Sequence, residues 1–112
     1  MSECLFCRFV SGEITPDVVA ETDHSLAFRD INPQAPTHVL VVPKRHVVNA
    51  AELAQVAPAE LADVLALAGR AALADGHEDY RLVFNTGFEA GQRVFHAHLH
   101  VLAGRPLAWP PG

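Results

Sequence analysis

His96-Ala97-His98-Leu99-His100-Val101-Leu102 is the stretch that decides the reading of this chain. Three histidines alternate in it with Ala97, Leu99 and Val101. In a β-strand successive side chains point to opposite faces, so the three imidazoles share one face about 6.6–7 Å apart and the aliphatic set faces a core. On a helix the same positions would point about 200° apart pairwise and could not act together. Imidazole titrates near neutral pH, which makes a row of three a chemical feature. The chain holds seven histidines in 112 residues, and three in strict alternation is an improbable accident at that frequency.

Outward from this strand, residues 94–102 and 80–85 read as two strands joined by a loop over 86–92. Residues 58–74 form the clearest helix. Leu61, Val64, Leu65, Ala68 and Ala72 keep one apolar stripe, Pro58 suits the first turn, and Gly76 suits the C-terminal cap. Residues 37–42 are β-branched with little alternation, as in a strand covered on both faces, and Pro43 ends them. Residues 18–21 and 25–29 read as a hairpin around Thr22-Asp23-His24. A short helix over 4–11 is closed by Gly12. The order predicts one α+β domain over residues 1–112, a five-stranded antiparallel sheet with one long and one short helix. Residues 105–112, rich in proline, form an extended tail.

The length fits one domain with a real core. A net charge of -5 argues against a nucleic-acid partner, which calls for a basic face. A small anion is still admissible, because backbone N–H groups and a few side chains suffice to hold it. The N-terminal stretch lacks the basic start and apolar run of a leader, and no apolar segment reaches membrane-spanning length. The expectation is a cytoplasmic protein without a membrane partner. In that compartment Cys4-x-x-Cys7 is a metal or redox question and not a structural disulfide.

Two chemistries suit the histidine row. One imidazole attacks an electrophilic phosphorus while its neighbours donate to the phosphoryl oxygens. Alternatively, two of them bind a catalytic metal that activates water. The row alone does not separate these. The wider pattern resembles the histidine triad (HIT) superfamily, whose signature is His-φ-His-φ-His-φ-φ with φ apolar. Residues 28–38 look like that family's nucleoside-binding strand and loop. Pro43-Lys44-Arg45-His46 is similar to its Pro-Lys-x-His element, and Asn85-x-Gly87 with Gly91-Gln92 to its phosphate loop. The ending Gly104-Arg105 and Trp109-Pro110-Pro111-Gly112 resembles the HINT branch, the histidine triad nucleotide-binding proteins.

The resemblance implies a hydrolase of purine nucleoside phosphoramidates working through a covalent nucleotidyl-histidine. The alternatives are a dinucleoside polyphosphate hydrolase and a nucleotide-binding module with weak turnover. It implies His98 as nucleophile, His100 as donor to the phosphate and His96 as the residue orienting the site. Asp30 would accept from the ribose hydroxyls, a task for an acceptor-only group. Leu5, Phe6, Phe9, Phe28 and Ile31 would hold the base. Asn85, Gly91, Arg93 and Val94 would surround the phosphate, and Trp109 would reach a site across a dimer. Arg93 departs from the family, which has Ser or Thr there. A homodimer is implied, its two sheets continuous through the long helix and the fourth strand, with Ala62, Ala66, Gly69, Ala72 and Ala74 as a small-residue face. In the zinc-bearing members Cys-x-x-Cys pairs with two histidines, here His46 and His96, in a structural site; catalysis itself would need no cofactor.

Overall fold

A computed structural model describes residues 3–112; Met1 and Ser2, part of the stretch read for a leader, lie outside the described residues. The elements are α1 (Leu5–Ser11), β1 (Val18–Glu21), β2 (Ser25–Arg29), β3 (Thr37–Pro43), α2 (Ala50–Val56), α3 (Pro58–Ala74), β4 (Arg81–Phe84) and β5 (Leu99–Ala103). All pairings are antiparallel, in the order β1-β2-β3-β5-β4. The expected sheet is therefore present, flanked by three helices instead of two.

The sheet separates two cores. On one face Val39, Val41, Leu99 and Val101 meet Val64, Leu67, Ala68 and Ala71 of α3 and Leu53 of α2. On the other, Phe6 of α1 packs with Leu26, Phe28, Leu40 and Val42. β3 is buried at every position because it lies between these layers, which is why its sequence lacks alternation. Gly76 closes α3 with positive φ, its N–H on the Leu73 carbonyl and that of His77 on Ala72, the paired bonds of a Schellman cap.

Three expectations need correction. Residues 50–56 form the helix α2, which its short apolar pattern does not announce. Its start is nevertheless written in Asn49-x-x-Glu52: Asn49 Oδ1 accepts from the Glu52 N–H, and Glu52 Oε1 accepts from Val48 N–H. Next, the histidine strand enters the ladder at Leu99 and not at residue 94. The register Leu40↔His100 and Val41↔Leu99 would next bring Ala97 opposite Pro43, which has no N–H to offer. The Ala97 N–H turns to the Val47 carbonyl at 2.8 Å instead. Finally, Ala72 faces the core and does not belong to an outer small-residue face. No helix among the described residues is long and apolar enough to cross a membrane.

Candidate active site and metal cluster

Strand alternation survives the shortened ladder. Ala97, Leu99 and Val101 enter the α3 core, while the rings of His96 and His98 meet the edge of Phe6 at 6.0 and 5.1 Å on the other side. The His98 and His100 rings lie 5.2 Å apart.

Hydrogen-bond partners fix which nitrogen of each ring carries the proton. A carbonyl only accepts, so His98 Nδ1 donates to the His96 carbonyl at 2.9 Å and the neutral ring keeps its lone pair on Nε2. The Gln34 N–H donates to His38 Nδ1 at 3.0 Å, which leaves the His38 proton on Nε2. That nitrogen donates to His100 Nδ1 at 2.9 Å, so a neutral His100 carries its own proton on Nε2. Burial, then the neighbouring His98 and His38, push His100 down to about 4, while Asp30 opposes them. Burial likewise lowers His38 against the pull of Asp30. With both rings neutral, this arrangement pairs a free lone pair on His98 Nε2 with an N–H donor on His100. His38 is the group that sets the orientation of His100.

Beside the triad opens a cavity of about 460 Å³. Leu5, Phe6, Phe9, Phe28, Leu40 and Val94 give it apolar walls, and Asp30 and Ile31 stand on its lining. Ile31 is 101% exposed and forms rim, not wall. Asp30 divides its oxygens: Oδ1 accepts from Asn32 N–H at 2.8 Å as a turn residue, and Oδ2 lies 3.4 Å from His38 Nε2. Asn85 follows β4 directly and its amide lies under Gly91, 3.6 Å from where a Cβ would stand. Trp109 is 83% exposed and does not line this cavity.

The loop over 86–95 is held by a residue whose weight the sequence did not reveal. Gln92 is fully buried; its amide donates to the Val48 and Val94 carbonyls, at 2.6 and 3.1 Å, and its Oε1 accepts from Gly87 N–H at 2.9 Å. Arg93, by contrast, is exposed. Its guanidinium lies 3.9 Å above the Phe88 ring and donates to the Phe88 carbonyl.

Cys4, Cys7, His46 and His96 bring one ligand atom each within 4.8 Å of one another. His96, wholly buried, donates from Nε2 to the Pro43 carbonyl at 2.7 Å, which turns its Nδ1 lone pair toward the cluster. That nitrogen lies 3.4 and 3.5 Å from the two sulfurs and 3.2 Å from His46 Nδ1, and Cys7 Sγ lies 3.2 Å from His46 Nδ1. Zn–N and Zn–S bond lengths in a tetrahedron imply N···N edges of about 3.3 Å and S···N edges of about 3.6 Å. The donor set thus fits zinc in both chemistry and spacing, with the outer nitrogen of His96 anchored as metal-binding histidines usually are.

An α+β fold on a wholly antiparallel sheet, with a histidine row beside an apolar cavity, defines a histidine triad protein. The chain belongs to the HIT domain family, whose profile matches residues 11–107. An uncharacterized HIT-like protein of Synechococcus elongatus is 46% identical over 114 aligned positions covering 100% of both chains. The crystal structure of a HIT family hydrolase from Legionella pneumophila is 47% identical, covers 98% of this chain and 100% of that one, and superposes with a TM-score of 0.92. A histidine triad nucleotide-binding protein from Candida albicans is 30% identical over 96% of this chain and 83% of its own, with a TM-score of 0.80.

Proposed function

We propose that this chain is a hydrolase of the HINT-like branch that cleaves purine nucleoside phosphoramidates at the α-phosphorus. The observation that carries the reading is the pairing of a lone pair on His98 Nε2 with the proton on His100 Nε2, beside an apolar cavity with Asp30 on its lining. The base lies between Leu5, Phe6, Phe9 and Phe28, and Ile31 closes the rim. The ribose hydroxyls donate to Asp30. Asn85 and the backbone from Gly91 to Val94 surround the phosphate, where negative charge grows in the transition state.

His98 Nε2 bonds to phosphorus as the P–N bond breaks, and the amine departs with a proton taken from solvent. Water then attacks phosphorus, the Nε2–P bond breaks, its proton goes to solvent, and the nucleoside monophosphate leaves. His98 returns to its starting tautomer, since Nδ1 keeps its proton on the His96 carbonyl throughout. His96 holds the backbone of the nucleophile from behind. Zinc bound by Cys4, Cys7, His46 and His96 is structural in this reading, since four protein ligands leave no open position for water or substrate. Cysteine ligands agree with a reducing, cytoplasmic setting.

The test is His98→Ala with adenosine 5′-phosphoramidate as substrate. Turnover should fall by at least a thousandfold while AMP binding persists, because base and ribose contacts supply most of the affinity. Turnover retained within tenfold of the wild type overturns the assignment of His98 as nucleophile.

A further inference from the structure

The metal cluster is closed on one side and open on the other. His96 is wholly buried and pinned through Nε2 to the Pro43 carbonyl. His46 is exposed, and both cysteines are only part-buried. Cys4 and His46 also line a surface cleft of about 560 Å³, together with the exposed Glu3, Arg93 and Phe95. From this side a small solute approaches the Cys4 sulfur directly.

The two sulfurs are also placed to join. Cys4 is the N-cap of α1 and Cys7 lies in its first turn, with the Cys7 N–H on Cys4 Sγ at 3.4 Å. Positions three apart on a helix hold their Cα atoms about 5 Å apart, which is within the span of about 4.4–6.8 Å that a disulfide bridges. The sulfurs themselves already lie within 4.8 Å of each other. A coordinated thiol is deprotonated, so in the loaded cluster both sulfurs stand as thiolates, the form that attacks a peroxide. An accessible thiolate beside a second, resolving cysteine is the arrangement of a reversible oxidation site.

Resting on the zinc reading, we propose that Cys4 and Cys7 are a reversible oxidation site for hydroperoxides, and that their disulfide opens the metal clasp and loosens the nucleotide cavity. Cys4 Sγ bonds to the terminal peroxide oxygen as the O–O bond breaks, and the departing hydroxide or alkoxide takes a proton from solvent. The peroxide has gained two electrons, and Cys4 is a sulfenic acid. Cys7 Sγ then bonds to the Cys4 sulfur, the S–O bond breaks, and hydroxide leaves as water with a second solvent proton. A neutral disulfide is no longer a pair of thiolate ligands, and His46 and His96 alone are half of a four-coordinate site. α1 thereby loses its tie to the backbone before His98. The same helix carries Leu5, Phe6 and Phe9 of the nucleotide cavity.

The experiment titrates zinc-loaded wild type with hydrogen peroxide while a chromophoric chelator reports free zinc and a thiol reagent counts free cysteines. About one zinc should leave per two thiols lost. The denatured chain should be lighter by two hydrogens, and dithiothreitol with added zinc should restore both thiols and metal. The Kd for AMP should rise about threefold or more on oxidation and return on reduction. Cys7→Ser should stop at a sulfenic acid on Cys4 that a cyclic diketone captures; if that variant does not fold, the wild-type mass decides alone. Thiols that survive a large excess of peroxide overturn the proposal, as does zinc loss with both thiols intact or a disulfide that forms only between chains. AMP binding unchanged by oxidation overturns the coupling to the cavity. If the wild type holds no zinc, the metal reading fails, and the thiol count still decides: a reducible internal disulfide keeps the oxidation site, and its absence removes it.

Discussion

At the scale of the residue, the chemistry depends on where four imidazoles keep their protons. Each tautomer here follows from a partner with no choice: the carbonyls of His96 and Pro43 can only accept, and the N–H of Gln34 can only donate. Burial adds a direction, since it disfavours the charged ring and lowers His38, His96 and His100 together. The linkage has a definite sign. His100, held near 4 in the folded chain against about 6.5 unfolded, lets the unfolded state bind more protons between those values. Stability therefore falls as pH drops from about 6.5 to 4, by something on the order of 2–3 kcal/mol for this ring alone. Thermal melts between pH 7 and 4.5 should show that decline, and His100→Asn should flatten it measurably. An identical slope in the variant would mean that His100 does not carry the linkage. Asp75 acts in a lower window: Arg29 and Thr37 hold it at about 2, so its contribution disappears only as pH falls through about 4 toward 2.

At the scale of the element, the bounds of β1, β2 and α3 were legible in the sequence because each rests on local signals: a turn at 22–24, a proline at N1, a glycine after the last helical turn. The triad was equally legible, since alternation alone places three side chains on one face. The start of β5 was not, because it depends on where its neighbour β3 runs out of donors at Pro43. Nor were the roles of Gln92 and His38, whose partners lie 44 and 62 residues away at Val48 and His100. α1 illustrates the same dependence. Seven residues are too few for a helix to persist alone. This one is anchored by Phe6 in the core it shares with Leu26, Phe28, Leu40 and Val42, and by Cys4, whose sulfur accepts from the Cys7 N–H at the helix start. The metal reading adds a third anchor that joins α1 to the backbone leading into His98. We therefore expect about one zinc per chain in protein purified without chelator under reducing conditions, and Cys4→Ser should release it. The variant should lose about 2–4 kcal/mol of stability, at least about 8 °C in Tm, with catalysis declining only as far as the site loosens. Elemental analysis that finds no zinc returns both cysteines to the status of part-buried thiols. Arrest of turnover by chelator at a temperature where the fold persists would instead make the metal catalytic.

At the scale of the whole molecule, the sheet has two edges, and they differ. β1 is interrupted by an irregularity between Val18 and Ala20, the kind of break that blunts an edge against further pairing. β4 keeps an unbroken register with β5 from Arg81↔Leu102 to Phe84↔Leu99, so its outer side presents a regular row of backbone donors and acceptors. Beside it lies an apolar shelf. Leu82 pairs with Val101 and so faces the helical layer, yet it stays 36% exposed, as Leu65 and Leu73 of α3 do at 41% and 60%. Tyr80 reaches across to α3, its hydroxyl 3.2 Å from where a Cβ on Gly69 would sit. Ala62 and Ala66, exposed on the same helix, allow close approach. A second copy set on this edge by a two-fold axis would continue the sheet from β4 to β4 and cover both shelves at once, the self-complementary arrangement of a two-fold dimer. The expected outcome is a dimer of twice 12.1 kDa in sedimentation at micromolar concentration, with Leu82→Lys shifting it to monomer. Trp109 makes the prediction sharper, because it is the chain's one tryptophan and stands exposed on the C-terminal tail, away from its own chain's cavity. If the tail completes the partner's nucleotide site, AMP should change Trp109 fluorescence in the dimer and leave it unchanged in the Leu82→Lys monomer. A wild-type monomer at those concentrations would remove the interface. A dimer whose fluorescence ignores AMP would keep the interface and leave each nucleotide site built from a single chain.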